Sequence, residues 1–386
     1  MIVYDKVELE NLTLVEEAHS LKEASFIDSE QYKVISKQLT IPKGSNNLLI
    51  RLAFFILGSF LYSSICGFLT LISENAIGEN FEVILFLYAA VGFAGAEALT
   101  RLKFFGQGLD DAFIIGSQLN LAIAIGLLTN GNEIVIASII TLTALINYLR
   151  YLHLSMALLF CLALTATLTY AMFEIGTTGK TILPFVIMLF AAAIYFLSKT
   201  IISKLVPNFY YKGVLLANSF SLILFYLSGN YLVVRELSVL LLDAAIVPGH
   251  DISFAFFFYG FTFAVPLFYL IYSILKKDRI MLWIGFLALG FSIYTIRFYY
   301  AILPIEIALN LGGVFLFGFT YFVIKKLKDK EAGVTFKPDR LTKTNAFLNA
   351  EILISSQLGL KPEITTESNI GFGGGEFSGG GSGGEF

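Results

Sequence analysis

LLIRLAFFILGSFLYSSICGFLTLI, residues 48–72, carries a single charge, Arg51. It is longer than the roughly 20 apolar residues that a helix needs to cross the hydrocarbon core of a bilayer. A helix that is apolar all round has no face to offer water, so it must be surrounded by protein or lipid. The same pattern recurs along the chain. Ten spans are predicted, at 48–72, 81–100, 112–129, 132–149, 151–174, 181–203, 211–228, 252–275, 279–299 and 303–325. The third, fourth and seventh are the shortest, and little more than Arg150 separates the fourth from the fifth.

The composition points the same way. Of 386 residues, 56% are hydrophobic and 14% charged, and 38 are Phe. An ordinary soluble domain carries about 25% charged residues because its surface must be wetted. Two soluble domains could not be coated by the charges present here, so most of the chain is expected to meet lipid. The formal net charge of -3 brings no bias toward nucleic acid. The expected fold class is all-α, a polytopic transmembrane helix bundle of about ten spans with the lipid bilayer as its main partner.

The placement of charge orients the bundle. With ten spans, one set of alternate loops holds Arg101, Lys103, Arg150, Lys199, Lys204, Lys212, Lys276, Lys277 and Arg279, whereas the other holds Lys180, Arg235 and Arg297. Basic residues favour the cytoplasmic side, so both termini are expected in the cytoplasm. The segment 231–247, YLVVRELSVLLLDAAIV, could be drawn as an eleventh span. It carries Arg235, Glu236 and Asp243, each costly at mid-bilayer. It is therefore read as an external interfacial segment ended by Pro248-Gly249.

Four regions follow: a cytoplasmic helical tail (1–47), a transmembrane domain (48–325), a second tail with one amphipathic helix (326–370) and a Gly-rich end (371–386). The first tail lacks the basic start and immediate apolar run of a signal peptide, so the first span is expected to act as the insertion signal. Leu14, Ala18 and Leu21 share helical spacing, and a second helix with Tyr32, Ile35 and Leu39 on one face starts after Asp28 or Ser29. Helix 338–356 aligns Leu341, Leu348 and Ile352. The end, GFGGGEFSGGGSGGEF, cannot bury enough surface to offset its ordering entropy. Its two Gly-Gly-Glu-Phe repeats, at 374–377 and 383–386, are one residue short of the diguanylate cyclase signature and have no nucleotide-binding domain around them.

No spacing of His and Cys resembles a zinc site, and no nucleophile elbow, P-loop or Gly-rich nucleotide fingerprint is present. No catalytic residue, metal site or cofactor is assigned. Cys66 and Cys161 fall within spans, as small packing residues. The informative side chains are polar groups inside the spans, which are functional candidates by default. Glu97 shares a helix face with Ala90 and Ala94, and it is either a buried functional carboxylate or the i,i+4 partner of Arg101. Asp110 and Asp111 suit a helix N-terminus. Ser117, Gln118 and Asn120 either bond to neighbouring helices or line a pathway. Glu306, Asn310, Gly313 and Thr320 recur on one face of the last span, and Arg297 ends the span before it, placing Arg297 and Glu306 within reach of each other. Pro304 and the helix dipole account equally well for a Glu at 306. Arg51 is expected to snorkel, and Asn147 and Asn218 to pack.

Two stretches resemble a family of bacterial predicted membrane proteins of uncharacterised function. One is LKEASFIDSEQYKVISKQL (21–39), similar to that family's N-terminal pattern. The other is IRFYYAILPIEIALNLGGVFLFGFTYFVIKKL (296–327), similar to its closing helices. The resemblance implies a many-helix inner-membrane protein and carries no reaction, ligand or catalytic residue. Two functions are consistent with these features. The first is a non-enzymatic membrane component that docks a cytoplasmic protein partner through 1–47 or 330–386. The second is a small-solute transporter using the buried polar residues; an intramembrane enzyme ranks behind both. The topology has a direct check: cysteines introduced across 229–251 should react with a membrane-impermeant thiol reagent added outside, and reaction only from the cytoplasm would overturn the ten-span count.

Overall fold

The computed structural model describes residues 2–23, 27–44, 47–77, 81–204, 209–242 and 251–299, with scattered positions between 307 and 326. Among the described residues the regular structure is helical: α1 (Lys6–Glu23), α2 (Ser29–Gln38), α3 (Leu48–Ile77), α4 (Phe81–Arg101), α5 (Leu109–Leu128), α6 (Glu133–Tyr151), α7 (Leu154–Glu174), α8 (Thr177–Lys204), α9 (Tyr211–Gly229), α10 (Tyr231–Leu242), α11 (Ala255–Lys276) and α12 (Arg279–Tyr299). Nine of these, α3 to α9 with α11 and α12, are long and apolar enough to cross a membrane. They coincide to within a few residues with nine of the ten expected spans. The tenth, 303–325, falls largely outside the described residues, as do 243–250 and the C-terminal tail. The segment read as interfacial is helical over its first twelve residues, as α10. At 1.5 Å per residue its described part is about 18 Å long.

Helix limits follow local chemistry. Asp28 and Gln31 form a reciprocal capping box at the start of α2. The Asn132 side chain accepts from the Val135 amide at the start of α6, and Leu152, left-handed at φ 56, ends it. The α9–α10 break falls at Asn230. Its Oδ1 accepts from the Leu232 amide at 3.0 Å, so the side chain caps the new helix.

Packing is organised around three apolar centres, one of them formed by Met188 of α8, Tyr231 and Val234 of α10 and Phe258 of α11; the other two are larger. Tyr62 and Cys66 of α3, Ala96 of α4, Phe113 and Ile114 of α5, Tyr148 and Tyr151 of α6, and Met156 and Ala157 of α7 form the first. Leu222 and Tyr226 of α9, Val265 and Tyr269 of α11, and Met281, Ile284 and Ala288 of α12 form the second. Small residues set the closest approach. A Cβ on Gly92 would lie 2.7 Å from the Ser117 Cβ, so α4 and α5 meet there nearly backbone to backbone. The buried face of α4 is Leu85, Ala89, Gly92, Ala96 and Thr100. Ala90 and Ala94 are exposed, which shifts the expected packed face by one residue and leaves Glu97 on its edge.

The N-terminal tail is not one piece. Residues up to Leu12 and those of Thr40–Phe336 belong to one compact unit, which holds the bundle, whereas Thr13–Leu39 belongs to another. The Val3 amide donates to the Arg150 carbonyl at 3.1 Å, the Lys43 amide to Lys103 at 2.7 Å and the Phe105 amide to Lys43 at 3.0 Å. These backbone bonds attach residues expected in a free tail to the ends of α4 and α6. Within Thr13–Leu39, His19 of α1 meets the Tyr32 ring of α2 edge-on and Lys22 sits over it. Val15 and Ala18 are buried, but Leu14, Leu21 and Val34 are exposed.

Gly108 tests the fold directly. Its φ is +106, and a Cβ there would strike the Arg51 carbonyl and approach the Phe55 amide at 2.9 Å. Gly108→Ala should cost about 2 kcal/mol or more, seen as a lowered unfolding midpoint in detergent. Gly67→Ala, a helical position with nothing within 4 Å, should leave the midpoint unchanged or raised.

Candidate functional site

Glu97 lies in the last turn of α4, and its partner comes from α6. Arg150 donates through Nε to Oε1 at 2.5 Å and through Nη2 to Oε2 at 2.8 Å, a bidentate fork. Tyr151 adds its hydroxyl to Oε1 at 2.7 Å. The Arg150 guanidinium also stands over the Phe93 ring, 5.9 Å from its centre. Arg101, the partner expected at i,i+4, is replaced by a residue 53 positions away. An ion pair forms as expected but with another cation, because only the tertiary fold brings the end of α6 beside α4.

Ser117, Gln118 and Asn120 all bond to other helices. Ser117 Oγ donates to the Ala89 carbonyl of α4 at 3.0 Å. Gln118 donates to Thr143 of α6 at 2.8 Å and accepts from Asn147 of α6 at 2.9 Å. Asn120 donates to the Tyr62 hydroxyl of α3 at 3.0 Å, and Tyr62 donates in turn to the Tyr88 carbonyl of α4 at 2.8 Å. The four helices α3 to α6 are thus joined through the polar face of α5. Asn147, expected to be isolated, belongs to this chain of bonds. Asn218 does not: its Oδ1 is buried without a hydrogen-bond partner.

A cluster that the sequence did not single out lies at the start of α5. Asp110 accepts from the amides of Gly106, Gln107 and Gly108 at 2.7, 3.0 and 3.2 Å, so the loop before α5 wraps its carboxylate. Asp111 turns the other way. Arg51 of α3 reaches its Oδ2 through Nε at 2.6 Å and Nη2 at 2.5 Å, and His153 Nε2 meets its Oδ1 at 2.5 Å. Arg51 therefore pairs rather than snorkels. Two groups, Arg51 of α3 and His153 of the α6–α7 turn, converge on one carboxylate of α5. Charges at the starts of two predicted spans were the available signal, but sequence offers no rule for pairing residues 60 positions apart.

The N-terminal residues close over this end. Tyr4 is buried with its ring edge-on to Phe105, centres 4.8 Å apart. Burial, with the Asp110 charge nearby, pushes its phenol well above the ordinary tyrosine range. Lys103 pairs with Glu8 of α1, and that carboxylate holds the ammonium above its usual value.

A second polar knot joins α9, α11 and α12. Asn230 donates to the Tyr226 hydroxyl at 2.9 Å, Tyr226 and Ser292 share a bond of 2.8 Å, and Ser292 donates to the Thr262 carbonyl at 2.6 Å. Nearby, Arg235 stacks on Tyr299, 4.2 Å from the ring centre, and donates to the Tyr231 hydroxyl at 3.0 Å. Tyr299 donates to Glu236 at 2.6 Å. Arg297 is half-buried at the end of α12. Glu306 lies outside the described residues, so its pairing with Arg297 is not placed, and Asn310 is helical and exposed.

Cys66 and Cys161 are buried free thiols. Among the described residues no three His, Cys, Asp or Glu side chains are grouped to hold a metal ion. Comparison of the chain with protein-family models, with curated proteins and with solved structures finds no match in any of the three. Fold and geometry together describe an all-helical chain with nine helices, among the described residues, able to cross a membrane, and the described carboxylates of those spans are all near the helix ends. Arg150→Gln should lower stability in detergent by about 2 kcal/mol, because it strands the Glu97 carboxylate. The double variant E97Q/R150Q should recover part of that loss, and a thermal-unfolding double-mutant cycle with no coupling would contradict the pairing.

Proposed function

We propose that this protein is a multi-pass component of a bacterial inner membrane, with both termini in the cytoplasm, that docks a protein partner through its terminal segments. One observation carries this reading: Ser117, Gln118 and Asn120, the polar residues best placed to line a solute path, are engaged in bonds between helices. A pathway needs polar groups free to exchange partners with a passing solute, and these bonds hold helices together instead. The residual binding capacity lies at the ends. Helix α2 buries none of its ten residues. A helix that short is marginal alone, yet its capping box and the contacts to His19 and Lys22 hold it, leaving Leu14, Leu21 and Val34 outward. The distribution of Lys and Arg supports the cytoplasmic placement.

Asn11 donates to the Thr40 carbonyl at 3.0 Å, so the ends of the 13–39 segment lie close together. Replacing 13–39 with a short Gly-Ser linker should therefore leave the bundle's unfolding midpoint unchanged, and in the intact chain a photoreactive residue at position 21 or 34 should crosslink in cells to a discrete partner. Absence of any such crosslink from 21, 34 and the 330–386 segment would count against docking.

A further inference from the structure

Ser155 stands beside the Asp111 cluster and extends it into a relay. Its Oγ lies 2.5 Å from His153 Nδ1, on the opposite side of the imidazole from Asp111. An ionised carboxylate only accepts hydrogen bonds. The shared proton therefore sits on Nε2, which leaves Nδ1 as the acceptor for the serine hydroxyl. Nucleophile, base and orienting carboxylate are then all in hydrogen-bond contact, the arrangement that activates a serine on unrelated folds. Both polar partners are enclosed, Asp111 at 6% and His153 at 9% side-chain exposure.

Two further features surround the hydroxyl. His153 precedes α7 without capping it through its side chain, and no acid occupies the first turn. The first N–H groups of a helix have no intrahelical acceptor, and at the start of α7 these belong to Leu154 and Ser155. Backbone N–H groups at a helix start, together with the positive end of the helix, are the kind of donors that stabilise an oxyanion. Leu154 and Leu158 flank Ser155 at 36% and 41% exposure, so the approach to the hydroxyl is apolar and at the end of a span.

We propose that Ser155 is a nucleophile that takes an acyl group from a lipid ester. Oγ attacks the acyl carbon as its proton passes to Nδ1. The ester C–O bond breaks, and that proton leaves with the lipid alcohol. Water then completes hydrolysis: its proton goes to Nδ1, hydroxide adds to the acyl carbon, and the C–Oγ bond breaks as the serine oxygen recovers the proton. Asp111 acts as a positioning residue throughout. The inference goes beyond the docking role and does not rest on it.

The test uses the full chain in detergent and a fluorophosphonate bearing a long alkyl chain. Attack forms an Oγ–P bond and expels fluoride. Peptide mass mapping should place the adduct on Ser155, with none at that peptide in Ser155→Ala. His153→Gln and Asp111→Asn should each slow labelling about 100-fold or more, while Asp111→Glu restores part of the rate. Glu97→Gln, which weakens the separate Arg150 pair, should lower stability but keep the labelling rate, separating chemistry from folding. A long-chain probe should label about ten-fold faster than a short-chain one. An unmodified Ser155 in the folded wild type, or an equal rate in His153→Gln, would overturn the nucleophile. Faster labelling by the short-chain probe would overturn the lipid substrate.

Discussion

The Asp111 carboxylate, held by Arg51 on one oxygen and His153 on the other, is the contact on which one end of the α3–α7 half depends. The Asp111 carboxylate, 6% exposed, would be costly to leave alone among apolar helices, because a charge removed from water needs a compensating partner. Bringing Arg51 and His153 to it fixes the start of α3, the start of α5 and the α6–α7 turn at one point. The loop before α5 must then fold tightly, which accounts for the positive φ of Gly106 and Gly108 and for the three amides turned onto Asp110. Glu97 and Arg150 repeat the principle between α4 and α6.

Deeper in the bundle the same demand is met without charge. Apolar packing gives little preference for one helix neighbour over another when lipid is equally apolar, so close approach and hydrogen bonds decide the arrangement. Gly92 against Ser117 supplies the first, and the bonds of Ser117, Gln118 and Asn120 supply the second. In the other half, Asn230, Tyr226, Ser292 and Thr262 do the equivalent work, and Asn230 also ends α9 and caps α10. Polar side chains here fix register and the choice of helix neighbour.

The spans were legible because an all-apolar run of about 20 residues has few other fates. Interfacial residues were less so. The first tail reads as a separate region by charge, yet Val3 and Lys43 join the bundle through backbone bonds that leave no mark on side-chain pattern. The face of α4 was misplaced by one residue because Ala90 and Ala94 are as small as Ala89 and Gly92, so size alone could not choose between them. Among the site residues, Glu97 was recognisable from its cost in a span, but its partner was not. Ser155 gave no signal, since a serine two residues after a histidine is unremarkable until Asp111 is seen across the ring.

Hydropathy by itself determined that the described chain is helical and where its nine long apolar helices lie. These properties are local, set by what each segment can bury. Tertiary structure alone decided which cation meets Glu97, that Arg51 and His153 share one carboxylate, and that an isolated Ser155 becomes the end of a hydrogen-bonded relay. Those outcomes depend on residues tens of positions apart meeting at one point, and no local pattern encodes such a meeting.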